Sequence, residues 1–219
     1  MRRASYLAAS LMVLSWPVVS LAADLAFVGP RGTPAEQAAS SLLSQSHSFD
    51  RSVALEDAAM VADAVKTGGA AGGMIPAIAA KGVPGETTSL LLSALDPGLR
   101  IVDEVRVPDR QDSATGYWVI ARTKERLPEQ HPDRLVVNVD APAGSKAFSL
   151  VVAGLSKLGF TVTGVTFIPL PGKPLGFRYL LVLAADKPIL GLRLTDAVSR
   201  DSRTGDGRAV VIGGWRQVP

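Results

Sequence analysis

The chain has no cysteine. That excludes disulfides, zinc–thiolate sites and cysteine nucleophiles, so the fold must hold by core packing alone. Histidine is nearly as scarce. His47 and His131 are the only two. Both lie in polar stretches and read as exposed surface residues, with no carboxylate spacing that would make either a metal ligand. No histidine or cysteine metal site is expected. Aromatic residues make up 5% of the 219 positions and charged residues 20%. No basic stripe is interleaved with aromatics, so no nucleic-acid partner is expected. The formal charge of +3 falls to near +1 once Arg2 and Arg3 are removed. Gly68-Gly69 and Gly72-Gly73 lack the Gly-Lys-Ser/Thr of a phosphate-binding loop. Arg200 to Arg208 reads as a solvated, charged turn.

A long hydrophobic run is also missing. Leu7 to Val19 is apolar, but Ser10, Ser15 and Pro17 interrupt it, and it is short for a membrane span. With Arg2-Arg3 before it and Ser20-Leu21-Ala22-Ala23 after it, the segment has the three parts of a secretory leader. Cleavage after Ala22 or Ala23 and export to the periplasm are expected. An uncleaved membrane anchor is the alternative. The remainder is core-forming: 47% of all residues are hydrophobic, and the length suits one large or two small domains.

The stretch that organises the rest is Leu25 to Ala39. Leu25–Val28 is a short apolar strand, Gly29-Pro30 breaks it, and Gly32 permits a backbone conformation that a side chain resists. Thr33 suits an N-cap, Pro34 the first helical position, and Glu36 completes a capping box. The expected product is a strand ending at a helix N-terminus, whose N–H groups and dipole suit a carboxylate or phosphate.

Beyond it, helices are expected over Pro34–Leu43 and Leu55–Lys66, with a polar loop over Ser44–Phe49. A strand over Ala70–Ile75 ends at Pro76, and Ala77–Pro84 reads as a loop. A third helix opens at Gly85-Glu86-Thr87-Thr88 and stops at Asp96-Pro97-Gly98. Strands follow over Leu99–Val107 and Gly116–Arg122. Strands alternating with helices predict an α/β layer with a largely parallel sheet. Lys124–Asp133, charged and carrying two prolines, reads as a linker. The second half reads as a strand over Arg134–Asp140, a helix over Ser145–Leu158, and strands over Phe160–Ile168 and Leu175–Leu183. A helix over Pro188–Val198 and a strand over Arg208–Ile212 complete it. That β-α-β-β-α-β order is ferredoxin-like. The units are thus a leader over 1–23, an α/β domain over 24–123, a linker over 124–133 and a ferredoxin-like domain over 134–219.

Both halves carry residues that resemble one family. "AFVGPRGTPAEQAA" closely resembles the opening of prephenate dehydratases, with its strand, Gly-Pro-x-Gly-Thr and helix. From Asp133 to Pro188 the chain resembles their ACT domain, the small regulatory module that binds amino acids, and "VVIGGWRQVP" resembles their closing segment. The resemblance implies a periplasmic-binding-protein-like α/β lobe followed by an ACT domain. It implies an enzyme that removes water and carbon dioxide from prephenate to give phenylpyruvate, a step in phenylalanine biosynthesis, with no metal or cofactor. The family's catalytic Thr falls on Thr115. Gly29, Pro30, Gly32, Thr33 and Pro76 fall on its substrate site, and Gly144 and Pro169 on its regulatory amino-acid site. Gly82 and Glu86-Thr87 match a further Gly and Glu-Thr at a helix start.

The departures are as definite as the matches. Gly116 and Tyr117 stand where the family has Arg and Phe, and Ala77-Ile78-Ala79-Ala80 replaces Ile-Glu-Asn-Ser. Ser145-Lys146 replaces Ala-Leu, and Thr166-Phe167-Ile168 replaces Glu-Ser-Arg. One short loop separates Val107 from Thr115, where the family inserts a second subdomain, so the catalytic lobe reads as truncated. Thr115 is equally readable as a polar residue at a strand start. Two functions stay open: a prephenate dehydratase, or a non-catalytic exported module. The second would bind a small carboxylate or aromatic amino acid, or pair as a homodimer through the ACT domain.

Overall fold

The computed structural model describes residues 23–46, 48–77, 98–108, 114–123, 131–170, 172, 175–190, 198 and 207–217. The chain opens with β1 (Asp24–Val28), α1 (Pro34–Gln45), β2 (Arg51–Leu55), α2 (Ala58–Thr67) and β3 (Gly72–Pro76). β1 pairs in parallel with β2 on one side and β3 on the other. Alternation along β1 sends Leu25 and Phe27 to the face covered by α1 and Ala26 to the face covered by α2. Asp57 caps α2 by accepting the Met60 N–H at 2.8 Å, and Gly68 ends it in the left-handed region. The Gly-Gly pair in β3 is there for close approach. A Cβ on Gly73 would lie 2.5 Å from Val61 Cγ1 of α2, and one on Gly72 would lie 2.7 Å from the Phe49 ring.

The next two strands are β4 (Leu99–Pro108) and β5 (Ala114–Arg122). They form an antiparallel pair, and β5 is also antiparallel to β3. Within the first half, the largely parallel sheet expected from the alternation of elements is therefore confined to β1, β2 and β3. The reason is length: residues 109–113 alone connect β4 to β5, and a parallel pair needs a crossover of a dozen or more residues. β2 is the other difference. Its five residues alternate between exposed and half-buried at the sheet edge, too weak a hydrophobic pattern to separate from the loop before it.

The second half contains β6 (Arg134–Ala141), α3 (Ala147–Lys157), β7 (Phe160–Pro169), β8 (Phe177–Ala185) and β9 (Arg208–Trp215). These strands lie in the order β9-β6-β8-β7, all neighbours antiparallel. α3 covers the face carrying Leu135, Val137, Val139, Leu181 and Leu183. β9 runs to Trp215, beyond the expected end at Ile212. The helix expected from Gly85 lies outside the described residues, as do Gly82, Glu86 and most of the helix expected over Pro188–Val198. Val198 itself is buried in the α3 core. No helix among the described residues is long and apolar enough to cross a membrane.

Both halves belong to one nine-stranded sheet, ordered β2-β1-β3-β5-β4-β9-β6-β8-β7. The seam is the parallel bridge between Ile101 of β4 and Gly213 of β9. A Cβ on Gly213 would lie 2.5 Å from Ile101 Cβ and 2.9 Å from Ile101 O, so only glycine lets the strands meet. The register shift that β6 and β9 show between Val136 and Val137 leaves Ile212 as the extra residue of a bulge. One apolar core crosses the seam, from Ala26, Ile101, Trp118 and Ile120 to Val136, Leu180, Ile212 and Trp215.

At the outer end of the sheet, Arg51 grips Asp24 with Nε–Oδ1 2.6 Å and Nη2–Oδ2 2.9 Å, tying β2 to β1. Hydrogen bonds from Arg51 hold the Asp24 carboxyl below its ordinary range; desolvation opposes them and the guanidinium charge adds to them. A depressed carboxyl stabilises the fold above its unfolded value of about 4 and loses that contribution as pH falls through the folded value. Between pH 6 and pH 3 the urea midpoint of the native chain should therefore fall further than that of Asp24→Asn.

Candidate functional site

The turn after β1 takes the backbone geometry its glycines allow: Gly29 has φ +105° and Gly32 φ +83°. Gly29 N–H donates to Leu55 O at 2.8 Å, which holds the turn against the end of β2. Thr33 is the N-cap residue of α1 and Pro34 its first residue. The capping box does not form as expected. The Thr33 hydroxyl donates backwards to Pro30 O at 2.9 Å, leaving α1 with no side-chain cap from Thr33. Glu36 reaches one residue further than a capping box requires, and its Oε2 accepts the Gly32 N–H at 2.6 Å. The anion-friendly turn therefore already holds a carboxylate, and that carboxylate is its own.

Thr115 sits at the start of β5, opposite Val107 of β4. Because β5 is antiparallel to β3, this start lies at the same sheet edge as the ends of β1 and β3. Row by row, Phe27 aligns with Met74 and Met74 with Val119, and all three are buried on the α1 face. Thr115 shares the parity of Val119 and Tyr117, so it lies on that face as well. The structure thus brings Gly29, Pro30, Gly32, Thr33, Pro76 and Thr115 to one edge. Thr115 remains two strands from β1, roughly 10 Å across the sheet. Pro76 lies between them, paired with Tyr117, and the following Ala77 N–H donates to Gly116 O at 2.8 Å. Pro30 and Gly32 are exposed, and Gly29, Thr33, Pro76 and Thr115 are half-buried.

Gly116 turns to the opposite face. A Cβ there would lie 2.9 Å from Glu104 Oε1 and 3.3 Å from Ala77 Cβ. The space at the position where the family resemblance leads one to expect a guanidinium is thus filled by a carboxylate. The Glu104 side chain is only 9% exposed and accepts from Arg106 Nε at 3.0 Å and Nη2 at 3.4 Å. Glu104 was not singled out from the sequence. Asp103-Glu104 does interrupt the apolar alternation of β4, and the register shift against β5 falls between Ile101 and Asp103. An acidic pair inside a strand was the available signal.

Gly144 and Pro169 come to one end of the second half. Gly144 (φ +75°) is an exposed turn residue before α3, and Pro169 is the last residue of β7, opposite Phe177. Four rings gather at this end. Phe148 and Tyr179 have centroids 4.5 Å apart, and Phe167 lies 5.5 Å from Phe177 and 5.9 Å from Tyr179. Phe167 is 59% exposed. On the other face Arg178 grips Asp140 at 2.6 and 2.8 Å, and these hydrogen bonds raise the guanidinium above its ordinary value. Single aromatic residues spread over α3, β7 and β8 give no local pattern, so the cluster was not legible in the sequence. Among the described residues no group of acidic or histidine side chains could hold a metal ion. His131 is exposed, and His47 lies outside the described residues.

This architecture is a prephenate dehydratase-like α/β fold. It matches the prephenate dehydratase of Streptococcus mutans with TM-score 0.69 and 14% identity, over 88% of this chain and 97% of that one. The prephenate dehydratase of Arthrobacter aurescens in complex with L-Phe matches with TM-score 0.65 and 14% identity, over 89% and 90%. GqqA, described as a novel type of quorum-quenching acylase, matches with TM-score 0.67 and 21% identity, over 90% and 96%. No protein-family model and no curated protein matches the chain.

The turn's wiring sets the cost of two substitutions. Glu36→Ala removes a charge-assisted bond at a helix N-terminus and should cost about 1 kcal/mol. Thr33→Val removes no cap from α1 and should cost about half that or less, the reverse of what a capping box would give. Denaturant midpoints of the two variants decide between the arrangements.

Proposed function

We propose that this chain is an exported, non-catalytic relative of the prephenate dehydratases that binds a small aromatic carboxylate, such as an aromatic amino acid, in its second half. The observation that carries the first part is Glu104. Prephenate bears two carboxylates, and a site for it needs cations or free N–H donors. Here Glu104 fills the space beside Gly116, and Glu36 occupies the Gly32 N–H. Glu36 would meet an incoming dianion with like charge, and Glu104 engages Arg106, the guanidinium opposite Gly116 that could otherwise clamp a carboxylate.

Support for the second part lies at the ring cluster. Gly144 and Pro169 flank Phe148, Phe167, Phe177 and Tyr179, side chains suited to an aromatic ligand. The structural neighbour from Arthrobacter aurescens was itself crystallised with L-Phe. A homodimer through this ACT-like half belongs to the same reading. So does a catalytic lobe lacking its second subdomain. Its support is the direct β4–β5 connection alone, since the S. mutans chain is spanned over 97% of its length.

Two enzyme readings have one observation each behind them. Thr115 shares an edge and a face with the Gly29–Thr33 turn, which favours a dehydratase. The likeness to GqqA at 21% identity favours an acylase of a quorum-sensing signal.

Purified mature chain should form no phenylpyruvate from prephenate and should not cleave an acylated quorum-sensing signal. It should gain thermal stability with L-phenylalanine, and Phe167→Ala should weaken that binding at least tenfold. Phenylpyruvate formation abolished by Thr115→Ala would establish the dehydratase instead. Cleavage of the acylated signal would establish the acylase. No response to any aromatic amino acid would overturn the binding reading.

A further inference from the structure

We infer that the mature chain begins at Ala23, and that removal of the leader converts a backbone hydrogen bond into the ion pair that anchors the first strand. The inference rests on reading residues 1–22 as a leader and goes beyond it by fixing the bond that is cut.

Ala23 N lies 2.9 Å from Asp50 Oδ2, and Asp50 N–H donates to Ala23 O, also at 2.9 Å. This reciprocal pair joins the residue before β1 to the residue before β2. The next rung repeats the contact with the charges reversed: Asp24 of β1 holds Arg51 of β2 through two bonds. The parallel pairing of β1 with β2 runs on from there through Val28 and Leu55.

Hydrolysis of the Ala22–Ala23 bond by a leader peptidase consumes one water. Ala22 leaves with the new carboxylate, and Ala23 keeps the new amine, which is protonated at neutral pH. The atom 2.9 Å from Asp50 then carries a positive charge and still donates, while Ala23 O still accepts from Asp50. Cleavage one residue later would remove both Ala23 N and Ala23 O, and both bonds with them. The residues before the cut agree. A break after Ala22 places Ser20 and Ala22 at the two positions that require small side chains, whereas a break after Ala23 places Leu21 at one of them. Two independent features agree: the leader's small residues favour a cut after Ala22, and the two Asp50 contacts disfavour a cut after Ala23.

The test is the intact mass of the protein expressed with its own leader in a Gram-negative host and purified from the periplasm. The expected mass is that of a chain starting at Ala23. A chain retaining the leader would overturn both the leader reading and this inference, and a start at Asp24 or elsewhere would overturn the inference alone. A second measurement isolates the charge. Asp50→Asn should lower the Tm of the Ala23-start chain by about 2 °C, and should lower it less when the Ala23 amine is acetylated. Equal losses in the two forms would show that no ion pair exists.

Discussion

The contact between Ile101 and Gly213 decides what kind of molecule this is. A single parallel bridge joins β4 to β9, and it exists because position 213 has no side chain: a Cβ there would overlap Ile101. The bulge at Ile212 changes the register of β9 against β6, so the same strand can serve both neighbours. With the bridge in place, a mixed first half and an antiparallel second half become one sheet with a shared core on the α2 side. The orientation of the candidate edge relative to the ring cluster then follows from strand geometry, not from a flexible link.

The second constraint is the short path from β4 to β5. It forces an antiparallel pair and so delivers Thr115 to the edge where β1 and β3 end. Two carboxylates of the protein lie near that edge. Glu36 satisfies the turn from within, and Glu104 neutralises Arg106 beside Gly116. Both carboxylates belong to the protein: Glu36 lies at the turn, and Glu104 lies beside Gly116 on the opposite face of the sheet from Thr115. A fold can be shared by chains whose polar side chains at one edge differ.

Most of the fold was legible in the sequence because its elements have strong local signals. The apolar runs of β1, β6 and β8, the helical face of α3 and the Gly-Pro and Gly-Thr-Pro punctuation all lie where the periodicity puts them. The β-α-β-β order of the second half appears with each strand within about two residues of its expected start, and β9 starts at Arg208 as expected but ends three residues later, at Trp215. What escaped had a non-local cause. β2 is a strand only because β1 offers it a partner. The antiparallel turn of the sheet depends on a connection too short for a crossover. Glu104 matters only because the β4–β5 pairing, with Arg106 opposite Gly116, brings its carboxylate beside that glycine. The capping box fails at atomic scale: Thr33 and Glu36 have the right spacing, but the left-handed Gly32 presents its own N–H to the glutamate first.

Two halves joined in one sheet with a shared core should unfold as one cooperative body. Native-state hydrogen exchange, read peptide by peptide at increasing denaturant, measures this directly. The buried amides of β3 and β5 and those of β6 and β8 should converge on one common opening free energy. Convergence on two separate values, with either half opening while the other stays protected, would contradict a sheet held continuous through Ile101 and Gly213.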